Sequence, residues 1–196
     1  MLGWIKEYYR KKLINSCRGE IATDFINLSN IASIGFVYDI NSQESVKELL
    51  EIHNFLKKKG ISFKGLAVES VKNILPREVA EKGEKPHVAI PAELAEKSEL
   101  SIVPFENVSW IGAVDESVLK EFFSQQSDLF ISFNNTDSFT IDHILLGYVK
   151  SPMRVGMVNS ELVPYSIVME GKDKSVLPVL AYLNQIFYYL DVIKTL

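Results

Sequence analysis

The stretch that decides the fold begins Ile31-Ala32-Ser33-Ile34-Gly35-Phe36-Val37-Tyr38-Asp39-Ile40-Asn41-Ser42 and runs on to Gly60 and then Phe63-Lys64-Gly65-Leu66-Ala67-Val68. Residues 31–38 form an apolar run rich in Ile, Val and aromatics, without the clean alternation of a half-exposed strand. That is the pattern of a strand covered on both faces. Asn41, with Glu44 three residues later, predicts the start of a helix, the side chains satisfying backbone N–H groups that have no partner in the first turn. Val46, Leu49, Leu50, His53 and Leu56 then fall on one helical stripe. Lys57, Lys58 and Lys59 complement the negative end of the helix, and Gly60 supplies a left-handed stop. A second strand over 62–68 completes a βαβ unit, whose strands run parallel with a right-handed crossover.

Downstream, the pattern repeats with different spacing. Leu100–Val103 reads as a strand, followed by a loop holding Trp110 and Gly112 and a helix from Asp115 with Val118, Leu119, Phe122 and Phe123 inward. Asp128–Phe133 is a strand, and Ile141, Ile144, Leu145, Tyr148 and Val149 follow at helical spacing. Two further strands, Arg154–Val158 and Tyr165–Met169, precede a last helix that Ser175 caps and whose first turn tolerates Pro178. The stretch 69–100 carries Pro76, Pro86, Pro91, Gly83 and a short strand candidate at His87–Ile90. It reads as an irregular excursion within the domain. Residues 1–20 open with a basic amphipathic helix expected to dock its apolar stripe. The order of elements predicts one α/β domain over 1–196, a three-layer sandwich with a mostly parallel, Rossmann-like sheet.

Bulk properties narrow the function classes. With 47% hydrophobic residues and 23% charged, the chain can bury a core, and an intrinsically disordered reading is excluded. A net charge of −4 argues against general nucleic-acid binding, which needs a basic field. The single cysteine, Cys17, cannot form an internal disulfide, which suits a reducing, cytoplasmic compartment. No charged leader with a small-residue cleavage site opens the chain, so secretion is not expected. Val176–Leu190 is apolar, but Pro178, Asn184 and Gln185 interrupt it and it is shorter than the roughly 20 residues of a spanning helix. Leu2–Leu13 mixes Trp4, Tyr8 and Tyr9 with Lys6, Arg10, Lys11 and Lys12, a composition suited to an anionic membrane surface as well as to docking on the domain.

Trp110-Ile111-Gly112, Phe122-Phe123, Ser127-Asp128-Leu129-Phe130-Ile131-Ser132 and Arg154-Val155-Gly156-Met157 together resemble the pattern of a family of small bacterial proteins, chiefly from Bacteroidetes, known only as a domain of unknown function. The opening basic helix and the strand Ile34–Tyr38 fit the same resemblance. Members tend to carry Ser-x-Ala before the Val-Gly strand, where this chain has Ser151-Pro152-Met153. The resemblance implies the fold and leaves the function open, with no catalytic residue, cofactor or metal attached to it.

Several motifs are missing. No Gly-x-x-x-x-Gly-Lys phosphate loop, Gly-x-Gly-x-x-Gly turn, Gly-x-Ser-x-Gly elbow, His-Glu-x-x-His helix or paired cysteine ligands occur. Asp39-Ile40-Asn41-Ser42 is similar to the nucleophile motif of haloacid-dehalogenase-like phosphatases, and Leu129–Ser132 to their second motif. Those enzymes need a second Asp where Asn41 stands, and Val155–Glu161 supplies no acidic pair for magnesium.

A geometric expectation remains. In open parallel sheets ligands bind outside the carboxyl ends of the strands, where the strand order reverses. That singles out Asp39, Asn41 and Ser42 after the first strand, Glu69 and Ser70 after the second, and Asn134, Asn135, Thr136 and Asp137 after the strand at 128–133. A carboxylate beside amides can hold a ribose or a metal-bound water; equally, Asp137 or Ser138 can cap the next helix. His53 is expected packed at the core boundary, His143 toward solvent, and Arg154 in a surface ion pair or on an anion. Tyr182, Tyr188 and Tyr189 add aromatic surface to the last helix, as a homodimer or a protein partner would use. Three functions stay open: a non-enzymatic binding or protein-interaction domain, an enzyme or sensor holding a nucleotide- or sugar-type ligand at the sheet's carboxyl edge, and a peripheral membrane protein anchored by residues 2–13.

Overall fold

The computed structural model describes residues 3–17, 24–69, 90–134, 138–157, 162–170 and 177–192. Six strands form one sheet: β1 (Ser33–Ile40), β2 (Ser62–Glu69), β3 (Leu100–Val103), β4 (Leu129–Ser132), β5 (Met153–Gly156) and β6 (Ile167–Val168). Their order across the sheet is β3-β2-β1-β4-β5-β6, and every neighbouring pair is parallel. The expected mostly parallel, Rossmann-like sheet is therefore parallel throughout. The expected strand at 87–90 falls largely outside the described residues, as do Ser70, Ser175, Asn135, Thr136 and Asp137.

The helices are α1 (Gly3–Cys17), α2 (Gln43–Lys59), α3 (Ala92–Ala95), α4 (Glu116–Phe122), α5 (Phe139–Gly147) and α6 (Val179–Val192). They divide between the two faces as the direction of travel requires. From β1 the chain moves outward to β2 and β3, and α2 and α3 cover one face. From β3 it returns past β1 to β4 and β5, and α4 and α5 cover the other. Right-handed crossovers in opposite directions place helices on opposite faces.

Strand alternation sorts the side chains accordingly. Ile34, Phe36, Tyr38 and Ile40 of β1 join Leu49, Ile52 and Leu56 of α2 and Leu183, Ile186 and Leu190 of α6 in one core. Val37 of β1 and Phe130 of β4 join Leu119 of α4 and Ile141, Ile144 and Leu145 of α5 in the other. The central strands carry apolar residues on both sides, which explains the unbroken runs in the sequence.

Two local details differ from expectation. Helix α2 starts one residue later than Asn41 suggested: the cap is Ser42, whose Oγ accepts from Ser45 N–H at 3.1 Å. Ser45 Oγ in turn accepts from the N–H groups of Asn41 and Ser42, both at 3.0 Å. A hydroxyl at the third helical position does the work expected of a carboxylate at Glu44. The helix ends as predicted, at Gly60 with φ of 70°, where a side chain would be strained.

Helix α1 docks in the reverse sense to an apolar stripe. Arg10 Nε donates to Ile111 O at 2.8 Å and its guanidinium lies 4.6 Å from the Phe139 ring centre. Ile14 is buried, whereas Trp4, Tyr8 and Tyr9 face outward. A guanidinium stacked on an aromatic ring and bonded to a carbonyl anchors this helix better than its own tryptophan does.

Candidate functional site

The strand order reverses between β1 and β4, so the candidate crevice lies beyond the carboxyl ends of these two strands. Val37 pairs with Ser132, and Phe133 N–H donates to Val37 O at 3.1 Å. Asp39 lies near the carboxyl end of β1, and Asn134 follows the end of β4 by two residues. Asn134 is buried, and Asp39 is half-buried with its Oδ1 enclosed. Of the residues expected at the site, these two lie at the carboxyl ends of the neighbouring strands where the order reverses. Asn41 and Ser42 follow on the α2 side of the sheet, and Ser42 is committed to its capping box. Glu69 is committed too: it is buried and its Oε2 accepts from Phe105 N–H at 3.2 Å, holding the turn after β3.

That capping box has a chemical consequence. In dinucleotide-binding sheets the pyrophosphate sits on free N–H groups at the helix following the first strand. Here the Ser45 N–H is taken by Ser42, and the N–H groups of Asn41 and Ser42 are taken by Ser45. The turn lacks the glycines that a pyrophosphate needs, and three of its N–H groups are already taken.

On the α5 face, polar side chains gather under the crevice to an extent the sequence reading missed. Ser132, Asn134, Asp142 and Arg154 are all buried. Tyr165 lies across β5 so closely that a Cβ on Gly156 would come within 2.7 Å of its ring. Burial pushes the Tyr165 hydroxyl up to about 12; the Ser132 hydroxyl opposes the shift, the Asp142 carboxylate adds to it, and Arg154 opposes it. The Ser132 hydroxyl stands beside Tyr165 without reaching good hydrogen-bond geometry. The one sequence signal for this arrangement was a glycine inside a strand, which marks close approach of another group.

His143 and Arg154 depart from expectation. His143 is buried, its ring 6.1 Å from Phe139 in a nearly parallel stack and 5.8 Å from Tyr148 edge-on. Burial lowers its pKa, and Nδ1 has no hydrogen-bond partner. Helix α5 is apolar on nearly every side because it is covered by α1 as well as by the sheet, so the face opposite Ile141 is not solvent. Arg154 forms no surface ion pair; it is buried in β5, with Nη2 donating to Val149 O and with Nε and Nη1 unpartnered. His53 packs as expected, edge-on to Phe63 at 5.4 Å, with Glu99 Oε2 3.8 Å from Nε2.

Two open clefts lie beside α1. One of about 550 Å³ separates α1 from the Trp110 loop and is lined by Lys6, Arg10, Glu106, Trp110 and Thr140 among others. One of about 660 Å³ lies between α1, α4 and α5, with Leu13, Lys120, His143, Tyr148 and Lys150 in its wall. Among the described residues, no three His, Cys, Asp or Glu side chains gather as a metal site.

A family model matches residues 4–193, which is nearly the whole chain. The chain belongs to DUF6913, a family of unknown function. The DUF6913 match spans every described strand, so the crevice and the α1 surface are both parts of the family's domain. No curated protein matches the chain.

Proposed function

We propose that the protein is a binding or sensing domain that holds a small hydroxyl-rich ligand, of nucleoside or sugar type, at the carboxyl ends of β1 and β4. The observation that carries this reading is the reversal of strand order between β1 and β4, with the Asp39 carboxylate near the carboxyl end of one and the Asn134 amide just beyond that of the other. A carboxylate accepts from two vicinal hydroxyls, and an amide adds one donor and one acceptor, the complement of a ribose or pyranose edge. The turn before α2, which has no Gly-x-Gly-x-x-Gly, favours a nucleoside or sugar over a dinucleotide. No nucleophile–base pair or metal cluster stands among the described residues beside these groups, which supports binding in preference to catalysis. A bacterial cytoplasm is the compartment that suits the lone Cys17.

Thermal unfolding against nucleosides, monosaccharides, nucleotide sugars and dinucleotides tests the reading. A ligand at a hundred times its Kd stabilises by about 2.7 kcal/mol, a shift of about 5–10 °C for a chain of this size. A shift with a nucleoside or sugar that Asp39→Ala abolishes is the expected result. A shift only with dinucleotides, or one that survives Asp39→Ala, overturns it.

A second reading rests on α6. Tyr182, expected on this surface, is instead buried in the core, while Tyr188, Tyr189, Leu180 and Val192 are exposed along the outer side, the surface of a homodimer or a protein partner. Sedimentation of the wild type against Tyr188→Ser/Tyr189→Ser separates self-association from a monomer.

A further inference from the structure

The strangest surface of the molecule is the outward side of α1. The helix is 15 residues long, and by its dimensions spans about 22 Å. It presents Arg10 and Ile14 to the domain and sends its largest apolar side chains the other way: Trp4 is 74% exposed, Tyr8 61% and Tyr9 47%. The patch does not end with the helix. Tyr8 and Tyr9 are in edge contact at 5.6 Å, Tyr9 and Trp110 at 6.1 Å, and Trp110 is itself 61% exposed. Trp4, Tyr8, Lys11 and Lys12 are spaced at i, i+4, i+7 and i+8, so two exposed lysines flank the aromatics on one side of the helix. Against Glu7, the helix carries Lys6, Arg10, Lys11 and Lys12 in a chain whose net charge is −4.

We propose that this face docks on an anionic bilayer surface, α1 lying in the plane of the headgroups with Trp4, Tyr8, Tyr9 and Trp110 at the interface and Lys11 and Lys12 on the phosphates. Tryptophan and tyrosine rings are amphipathic and settle at headgroup depth, while lysines beside them are drawn to a negative leaflet. The charge pattern selects this occupant: a second copy would oppose lysine to lysine, whereas anionic lipid complements them. Among the described residues no helix is long and apolar enough to cross a membrane, so the contact is peripheral. The inference uses none of the residues assigned to the crevice ligand.

The chain's two tryptophans, Trp4 and Trp110, are both in the patch, so its fluorescence reports the docking directly. The full chain is titrated with phosphatidylcholine vesicles and with vesicles one-third phosphatidylglycerol at about 0.1 M salt, where screening is moderate. The expected result is a blue shift and co-sedimentation with the anionic vesicles alone, reversed at about 0.5 M salt. Each lysine at such a surface contributes about five-fold, so Lys11→Ala/Lys12→Ala is expected to weaken binding about 25-fold. Both positions are exposed, and an unchanged Tm shows that the variant is folded. No binding to anionic vesicles, equal binding to both compositions, or an unaffected double variant overturns the proposal. A shift with polyglutamate but not with vesicles overturns it as well, and assigns the face to an acidic protein.

Discussion

Asp128 Oδ2 is 2.9 Å from Ser33 N and 3.0 Å from Ser33 Oγ, and it also accepts from Ala32 N–H at 3.0 Å. Ser33 Oγ sits 3.1 Å from Asp128 N–H in return. This reciprocal clasp joins the first residue of β1 to the residue before β4, at the amino edge of the one pair where the strand order reverses. Parallel strands far apart in sequence have no tight turn to set their register. The clasp sets it at the amino edge, and the same register runs through to Val37 and Ser132.

Asp128→Ala should therefore cost about 2 kcal/mol, since it leaves donors without their charged acceptor. Urea unfolding measures it. If ligand binding at the carboxyl edge is intact while stability falls, the clasp is structural alone; weakened binding as well shows that it transmits register to the site.

The buried His143 predicts a pH dependence. Its folded pKa is lowered, so the unfolded chain takes up the proton first as the pH falls. Stability from this group is full above the unfolded value of about 6.5 and declines below it, by at most about 1.4 kcal/mol per pH unit. Denaturation followed between about pH 7 and pH 5 should show this decline. His143→Phe should flatten it; an unchanged slope would place its origin elsewhere.

Arg154 predicts an inverted mutational effect. A buried guanidinium with Nε and Nη1 unpartnered is costly, and replacing buried charge by a packed apolar chain is often stabilising. Arg154→Met should leave stability unchanged or raise it by about 1 kcal/mol. Chemical denaturation that shows a loss above about 2 kcal/mol instead would mean that the guanidinium has a counter-ion in solution.

The capping box gives a calibrated local test. Ser42→Ala removes one side-chain bond to the α2 first turn and should cost about 1 kcal/mol, while Glu44→Ala should cost far less. A Glu44→Ala loss equal to that of Ser42→Ala would restore the cap to the Asn41–Glu44 pair.

The sheet was legible because its central strands are covered on both faces, which writes residues 34–38 and 129–131 as unbroken apolar runs. The helix from 43 to 59 was legible through its stripe and Gly60. What was not legible depended on contacts distant in sequence. The position of α1 turns on Phe139 and Ile111, more than 100 residues away, and no local pattern announces that an arginine will be the anchor. The burial of His143 follows from the same packing of α1 over α5. Asp39 and the Asn134 loop were identified from their position after strands, but the sequence alone did not show that those two strands are neighbours. Ser132 and Tyr165 escaped notice because a serine within a strand and a tyrosine before one carry no signal of their own.

The central claim is that Asp39 and Asn134 form one ligand site. Its most direct test is the shift in Tm that nucleosides and sugars produce in the wild type, compared with Asp39→Ala. The account predicts a shift of about 5–10 °C that the substitution removes while the unliganded Tm stays close to that of the wild type. An equal shift in both proteins, or no shift with any nucleoside or sugar, would contradict it.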